Sequence, residues 1–382
     1  MLFYTKAKYT IFHSLRKMKI AIIGCGQIAD AHIQESLKID GVKVVGVCDS
    51  NIFMAKQLAL RFGIPGRFTD IKKMLQEIRP DIVHITTPPA SHLPIAKVCL
   101  ENGAHLYIEK PFAVNVSEAK EIIRLAEKMG KLVCVGHNCV FDSAYQRLLK
   151  MQEDRKLGEI SHLEAAMGYN LNGPFGAILM GDPNHWLHAL PGGLAQNNIS
   201  HPISLILGMM PGENIQTRAL GYRFRPERYG DIRDVFFDEI RVILVSGNVT
   251  ANLTFSSRSR PVQTFITAYG TRCAANASLD SRTLRITSGA QMPGPFAKVH
   301  WAARDTKESL RELYYNSKKL VTAKLHYFEG MGELFRQFYN AVEGKQEIPI
   351  PMTEALRVTT VMDAIIHECK ANECSVSYGG KA

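Results

Sequence analysis

No stretch of this chain runs apolar for the ~20 residues that a membrane-spanning helix needs, and no internal repeat or low-complexity tract interrupts it. Membrane-spanning, solenoid and low-complexity classes are therefore excluded. Its eight cysteines are scattered, with no pair at C-x-x-C spacing, which removes zinc ribbons and thioredoxin-type redox motifs. Several stand inside apolar runs, where reduced, buried thiols of a cytoplasmic protein are expected. Acidic residues are in the minority, 36 against 46 Lys and Arg, for a formal charge of +10. The basic residues are spread along the chain and accompany no nucleic-acid-binding motif. The excess reads as a general attraction for small anionic ligands.

At 382 residues, 46% hydrophobic and 21% charged, the chain has an ordinary globular composition and the length of two domains. Residues 1–17 hold Lys6, Lys8, Arg16 and Lys17 but no acid. Their apolar piece, Tyr9 to Phe12, is too short for a secretory leader. This segment reads as an extension, with the first domain beginning at Met18.

From Lys19 to Asp49 the local signals agree. Lys19 to Ile23 is a short apolar, β-branched run, and Gly24-Cys-Gly-Gln-Ile-Ala29 follows it directly. A helix-compatible segment and a second β-branched run, Val42 to Val47, lead to Cys48-Asp49. Strand, glycine turn, helix, strand and acid make a dinucleotide-binding fingerprint in its G-x-G-x-x-A form. Gly24 permits the tight turn, Gly26 lets backbone approach a pyrophosphate, and Ala29 lets the helix pack close to the strand. Gln27 and Ile28 open that helix, whose free N–H groups and dipole favour phosphates. Asp49 is placed to accept hydrogen bonds from an adenosine ribose. It would repel a 2′-phosphate, and no Arg or Lys follows in Ser50-Asn51, so the cofactor reads as NAD rather than NADP.

The alternation continues. Ala55–Phe62, Lys72–Ile78, His92–Asn102 and a segment capped by Asn115 or Ser117 and ending at Met129 read as helices. Asp81–Thr86, His105–Glu109 and Leu132–Val135 read as strands. The spacing predicts a doubly wound parallel sheet over residues 18–140. Thr87-Pro88-Pro89, Glu109-Lys110-Pro111 and Gly136-His137-Asn138 fall on its ligand-binding rim. Past about residue 155 the pattern changes to strands at Ile160–Met167, Phe236–Leu244, Asn248–Phe255 and Phe265–Tyr269. Helices are expected at Tyr327–Val342, returning toward the first domain, and at Thr353–Cys369. The second domain, 141–382, thus reads as α+β with an open-faced, mostly antiparallel sheet.

The glycine turn, Thr87-Pro88-Pro89 with His92, Glu109-Lys110-Pro111 and Gly136-His137-Asn138 stand in an order that resembles the Gfo/Idh/MocA oxidoreductases. These are the glucose–fructose oxidoreductase and inositol dehydrogenase-like enzymes. The resemblance spans roughly residues 18–375. It implies hydride transfer between NAD(P) and a sugar, sugar-acid or polyol carbon in a homodimer or homotetramer. It also places Thr87, Pro88, His92 and Glu109 toward the cofactor. Lys110 would stabilise the reacting alkoxide, although by position alone it also reads as a surface lysine. Members carry Gly-Gly followed by Asp-x-x-x-His. Here Gly192-Gly193 precedes Asn197-Asn-Ile-Ser-His201, which implies a catalytic Lys110, His201 and Asn197, with His201 as base. An amide at 197 adds no charge to support an imidazolium. Val140 is a second departure, where members often carry Arg.

His137, Asn138, Tyr169, His185 and Trp186 are candidate substrate contacts, though His137 and Trp186 also suit structural packing. His185, His188 and His201 lack a carboxylate or Cys at ligand spacing, so no metal site is expected. Arg223, Arg225 and Arg228, with Tyr222 and Tyr229, read as a solvated loop or an anion clamp. Two other function classes stay open: a non-catalytic NAD-dependent sensor, and an enzyme using tightly held NAD for a transient oxidation during epimerisation or glycoside cleavage.

Overall fold

Isoleucine and valine at Ile20, Ile22, Val44 and Val47 are fully or nearly fully buried, as the central strands of a sheet covered on both faces require. A computed structural model of the chain describes residues 17–182, 184–223, 237–289, 293–322, 325–326 and 328–375. Residues 1–16 and the clamp candidates Arg225, Arg228 and Tyr229 lie outside the described residues, as do the expected element ends Phe236 and Tyr327.

The first layer is built from β1 (Met18–Ile23), α1 (Gln27–Leu37), β2 (Val42–Cys48), α2 (Ile52–Phe62), β3 (Gly66–Phe68), α3 (Ile71–Ile78) and β4 (Ile82–Ile85). It continues through α4 (His92–Glu101), β5 (His105–Ile108), α5 (Val116–Met129) and β6 (Val133–Val135). The strands form one parallel sheet in the order β3-β2-β1-β4-β5-β6. The order reverses between β1 and β4, so the loops after these two strands diverge and leave a crevice. Two helices start earlier than the apolar spacing indicated, because caps outrank periodicity at an end. Asn51 accepts from Phe53 N and Asp70 from Lys73 N. Asn115, rather than Ser117, caps α5, accepting from Glu118 N.

After α6 (Ser143–Glu153) come β7 (Ile160–Gly168), α7 (Pro174–Gly181), α8 (Gly193–Leu207), β8 (Gln216–Arg223), β9 (Glu239–Ser246), β10 (Val249–Ser256) and β11 (Thr264–Gly270). β12 (Ala274–Ser278), β13 (Thr283–Thr287), α9 (Gly294–Val321), α10 (Glu329–Val342), α11 (Met352–Ala371) and β14 (Glu373–Ser375) complete the described chain. The second sheet runs β13-β12-β11-β7-β10-β9-β8-β14. β7 with β10 and β8 with β14 are parallel, and the other neighbours are antiparallel. Residues alternate buried and exposed along β8, β9 and β10, so one face is open, while α8 and α11 join the core on the other.

Residues of α10, among them Phe335 and Phe338, share a core with β1 and α1, which returns the chain to the first sheet. Gly192 lets α8 begin close to α11, since a Cβ there would lie 2.3 Å from Ile366 Cδ1. Among the described residues no helix is long and apolar enough to cross a membrane.

Candidate active site

The crevice at the strand-order reversal is a cleft of about 770 Å³. Gly24, at φ +97°, turns the chain out of β1; a Cβ there would sit 2.8 Å from Thr87 Cγ2, so the loops after β1 and β4 are in close contact. Gly26 precedes α1, no side chain caps this helix, and a Cβ on Gly26 would meet nothing within 4 Å. The open space and uncapped N–H groups fit the pyrophosphate of a dinucleotide. Ala29 is fully buried against the sheet.

Asp49 lines the same end of the cleft with Gln27, Ile28 and Ser50. Its Oδ2 accepts from Cys25 N at 2.7 Å and its Oδ1 from Asn51 N at 2.8 Å. The carboxylate therefore braces the glycine loop as well as facing the ribose position, each oxygen keeping a further lone pair. Among the described residues Lys110 is the one Lys or Arg on the lining, and it lies at the far end. Among these residues the ribose end thus holds a carboxylate and no cation for a 2′-phosphate.

Thr87 and Pro88 form the middle of the wall, with Ser91 and Ile95 beside them. His92 does not. It is fully buried, with Nε2 2.9 Å from Thr87 O and Nδ1 3.2 Å from Phe112 O. Burial holds its pKa below the ordinary value despite the two carbonyls. This corrects the expectation of a cofactor contact: the imidazole ties the loop after β4 to the segment after β5.

At the far end, Glu109 and Lys110 from the loop after β5 meet Asn197, His185 and Trp186 from the second domain. Lys110 Nζ donates to Asn197 O at 3.1 Å and to its Oδ1 at 3.4 Å. Burial lowers the Lys110 pKa, and Glu109 only partly offsets this. His201 lies one turn beyond Asn197. Its Nδ1 is buried without a hydrogen-bond partner, and its pKa is pushed well below the ordinary value by burial, by Lys110 and by His137. The imidazole is therefore neutral, close enough to Lys110 to feel its charge, and has an unused ring nitrogen.

His137 is buried and its pKa is lowered to about 4, first by burial, with Lys110 adding to the effect and Glu109 opposing it. Neither His137 nor His201 is on the cleft lining, and Asn138 and Tyr169 are not either. Tyr169 packs against the second core and donates its N–H to Ser256 O. Val140 packs against both cores, apolar where a cation was sought. The rings of His185 and Trp186 lie 5.5 Å apart, tilted by 32°. Arg223 pairs with Glu373 at the sheet edge. Among the described residues no group of three or more His, Cys, Asp or Glu is placed to hold a metal.

Sequence reasoning missed what lies behind Lys110. Glu109 Oε1 meets His32 Nε2 at 3.0 Å, and its Oε2 accepts from Lys110 N at 3.2 Å. His32 Nδ1 meets His84 Nδ1 at 2.9 Å, His84 Nε2 meets Tyr339 OH at 2.9 Å, and Tyr339 OH meets Ser36 Oγ at 2.8 Å. All five residues are buried. Burial and the neighbouring His32 hold His84 neutral, and His32 faces the Glu109 carboxylate with a donating Nε2–H. Burial would raise the Glu109 pKa, but the His32 hydrogen bond, His32 charge and Lys110 lower it overall. A histidine inside the apolar strand Ile82-Val-His-Ile85 was the available signal.

A parallel sheet with a glycine turn, an acid at the next strand end and a lysine where the two sheets meet defines a dinucleotide-binding fold joined to a second, mixed sheet. The family model described as oxidoreductase family, NAD-binding Rossmann fold, matches residues 18–137. Residues 18–137 are thus similar to the NAD-binding domain of the Gfo/Idh/MocA family. D-glucoside 3-dehydrogenase of Escherichia coli K12 is 33% identical over 144 residues, 37% of this chain and 41% of its own length. A glycosyl hydrolase family 109 protein of Bacteroides fragilis is 30% identical over 182 residues, 45% of this chain and 43% of its own. The chain thus spans less than half the length of these relatives. Over the whole fold, the WlbA dehydrogenase from Bordetella pertussis, solved with NADH and UDP-GlcNAcA, superimposes with a TM-score of 0.74 at 17% identity. That match covers 93% of this chain and 96% of the other.

Proposed function

We propose that this chain is an NAD-dependent oxidoreductase acting on a secondary alcohol of a sugar, sugar acid or polyol. The observation that carries this reading is the Lys110 ammonium held at the junction of the two domains, 3.1 Å from Asn197 O, in the cleft whose other end is Gly26 and Asp49. Bound NAD supplies the hydride acceptor, or as NADH the donor. Lys110 donates to the reacting oxygen and stabilises its developing negative charge. Low polarity around Lys110 strengthens that interaction. His201, neutral, with Nδ1 buried and unpartnered and off the cleft lining, receives the hydroxyl proton by way of Lys110 rather than by touching the substrate. Asn197 aims the ammonium, and Trp186 and His185 offer a flat face to a sugar ring.

The division at residue 140, a homodimeric or homotetrameric state and a cytoplasmic setting belong to the same reading, with carbohydrate rather than nucleic acid or membrane as partner. Five buried, unbridged cysteines, Cys25 and Cys134 among them, suit a reducing compartment. A panel of sugars, sugar acids and nucleotide sugars, followed by NADH absorbance with product analysis, tests it; no NADH and no altered sugar with any of them would end it.

A second reading has its own support. The family 109 glycosyl hydrolase similarity favours a transient oxidation on tightly held NAD within a net non-redox cleavage. In that case NAD co-purifies and product forms without net NADH.

A further inference from the structure

Among the described residues the most exposed apolar surface is on α9, and nothing in the proposed chemistry uses it. Its inner face is fixed to the body of the protein. Arg147 pairs with Glu312 at 2.7 Å, Glu312 accepts from Leu284 N at 3.0 Å, and Lys319 reaches Ser143 Oγ at 2.8 Å. The outer face carries a seam that advances by alternating steps of three and four residues from Phe296 to Leu320, the spacing of a coiled-coil stripe. Every position on the seam is exposed, and its large apolar members, Phe296, Val299, Leu310, Leu313 and Leu320, are between 61% and 71% exposed. Tyr314, 72% exposed, flanks it.

We propose that this seam pairs with the α9 of a second copy of the chain, antiparallel about a twofold axis near Glu308. The order of residue sizes points to that occupant. Reversing the helix about Glu308 sets Phe296 against Leu320, Val299 against Ser317, Ala303 against Leu313, and Thr306 against Leu310. Three of these four layers join a large apolar residue to a small one, and no layer joins two polar or two small residues. A twofold interface must be complementary to itself, and this seam is. The axis doubles the four layers to eight over a length of ~36 Å. The proposal goes beyond the enzymatic reading and holds whether or not that reading stands.

The test uses the full chain carrying Ala303→Cys and Leu313→Cys together. Within one helix these positions are ~15 Å apart, too far for a disulfide, whose Cα atoms lie within ~7 Å. Across the proposed axis they face each other. Mild oxidation is expected to give a covalent dimer on a non-reducing gel from the double variant, but not from Ala303→Cys alone or from the wild type. In sedimentation equilibrium, Leu310→Glu with Leu313→Glu is expected to halve the wild-type mass while leaving the far-UV circular dichroism spectrum unchanged, because both side chains are exposed in the single chain. A monomeric wild type at tens of micromolar would overturn the proposal. So would an oligomer whose mass ignores the two glutamates and whose double-cysteine form does not cross-link. Vesicle binding that the glutamates abolish, in a chain that never self-associates, would give the seam to a membrane surface instead.

Discussion

The Lys110 ammonium and the Asn197 carbonyl stand 3.1 Å apart across the junction of the two sheets. One lies on the loop after β5 and the other on the first turns of α8, so this hydrogen bond closes the cleft at its reactive end. Replacing Lys110 with Ala removes the only Lys or Arg that the described residues bring to the lining. Turnover should fall by about 10² to 10⁴-fold, the usual range for losing a proton-transfer or oxyanion group. NAD affinity, read by protein fluorescence quenching, should change by no more than a few-fold, because Asp49 and the glycine turn are at the other end. Turnover within threefold of wild type would remove Lys110 from the chemistry.

Asn197→Asp puts a carboxylate where the amide oxygen now lies 3.4 Å from Lys110 Nζ. Burial depresses the ammonium pKa, and an adjacent anion favours the charged form. The alkaline limb of the pH profile of kcat/KM should therefore move upward, by about one unit or more. A limb that stays where it is would mean that Lys110 does not set it.

The first domain was readable because its local signals are redundant: cap, glycine turn, β-branched run and breaker mark the same boundaries. The second was readable only in part. β12, Ala-Ala-Asn-Ala-Ser, lacks β-branched residues, and its strand character comes from pairing with β11 and β13. α9 went unseen although its outward stripe has a helical period, since exposed apolar residues are not expected on a helix. At the site, Lys110 and Asp49 could be located because each follows a strand, and Asn197 by its spacing from Gly192-Gly193. The chain from Glu109 to Ser36 could not, because it joins residues 77, 52 and 255 positions apart, and a histidine inside an apolar strand has no partner in one dimension.

Removing His32 tests that chain. His32→Ala leaves the Glu109 carboxylate and His84 Nδ1 buried without their partner. Breaking a buried charged pair from one side costs about 3–5 kcal/mol, so urea unfolding should show a loss of this order. The aim of Lys110 should suffer too, because Glu109 Oε2 holds its main-chain N–H. A variant as stable as wild type would mean that water or a neighbour replaces the imidazole at no cost.

The buried imidazoles set the acid side of the stability profile. His84, His137 and His201 have folded pKa values below their ordinary one, so the unfolded chain binds more protons than the folded chain below pH ~6.5. Stability is full above that pH and is lost as pH falls from ~6.5, for His137 until about 4. Glu109 is depressed as well; its contribution is present above the unfolded value of ~4.3 and disappears as pH falls through its folded one. Each group adds a slope of up to ~1.4 kcal/mol per pH unit. In His137→Asn, the fall in unfolding free energy between pH 7 and pH 5 should be smaller than in wild type; an identical slope would exclude His137 as a contributor.

Asp49 carries two duties that one pair of substitutions separates. Its Oδ2 accepts from Cys25 N and its Oδ1 from Asn51 N, while the charge faces the ribose end of the cleft. Asn at 49 keeps one oxygen for the Cys25 amide but loses the charge; Ala loses both. Hydrogen bonds to a charged group contribute about 1.5–3 kcal/mol, so either variant should raise KM for NAD by about 10- to 100-fold. Only Ala should also lower the melting temperature, through the freed glycine loop. Since the carboxylate holds the ribose and repels a 2′-phosphate, and no cation among the described residues lines that end, Asp49→Asn should narrow the preference for NAD over NADP both by weakening NAD and by improving NADP. If the ratio of kcat/KM for the two cofactors is the same in Asp49→Asn as in wild type, the carboxylate is a brace for the loop and the selectivity has another source.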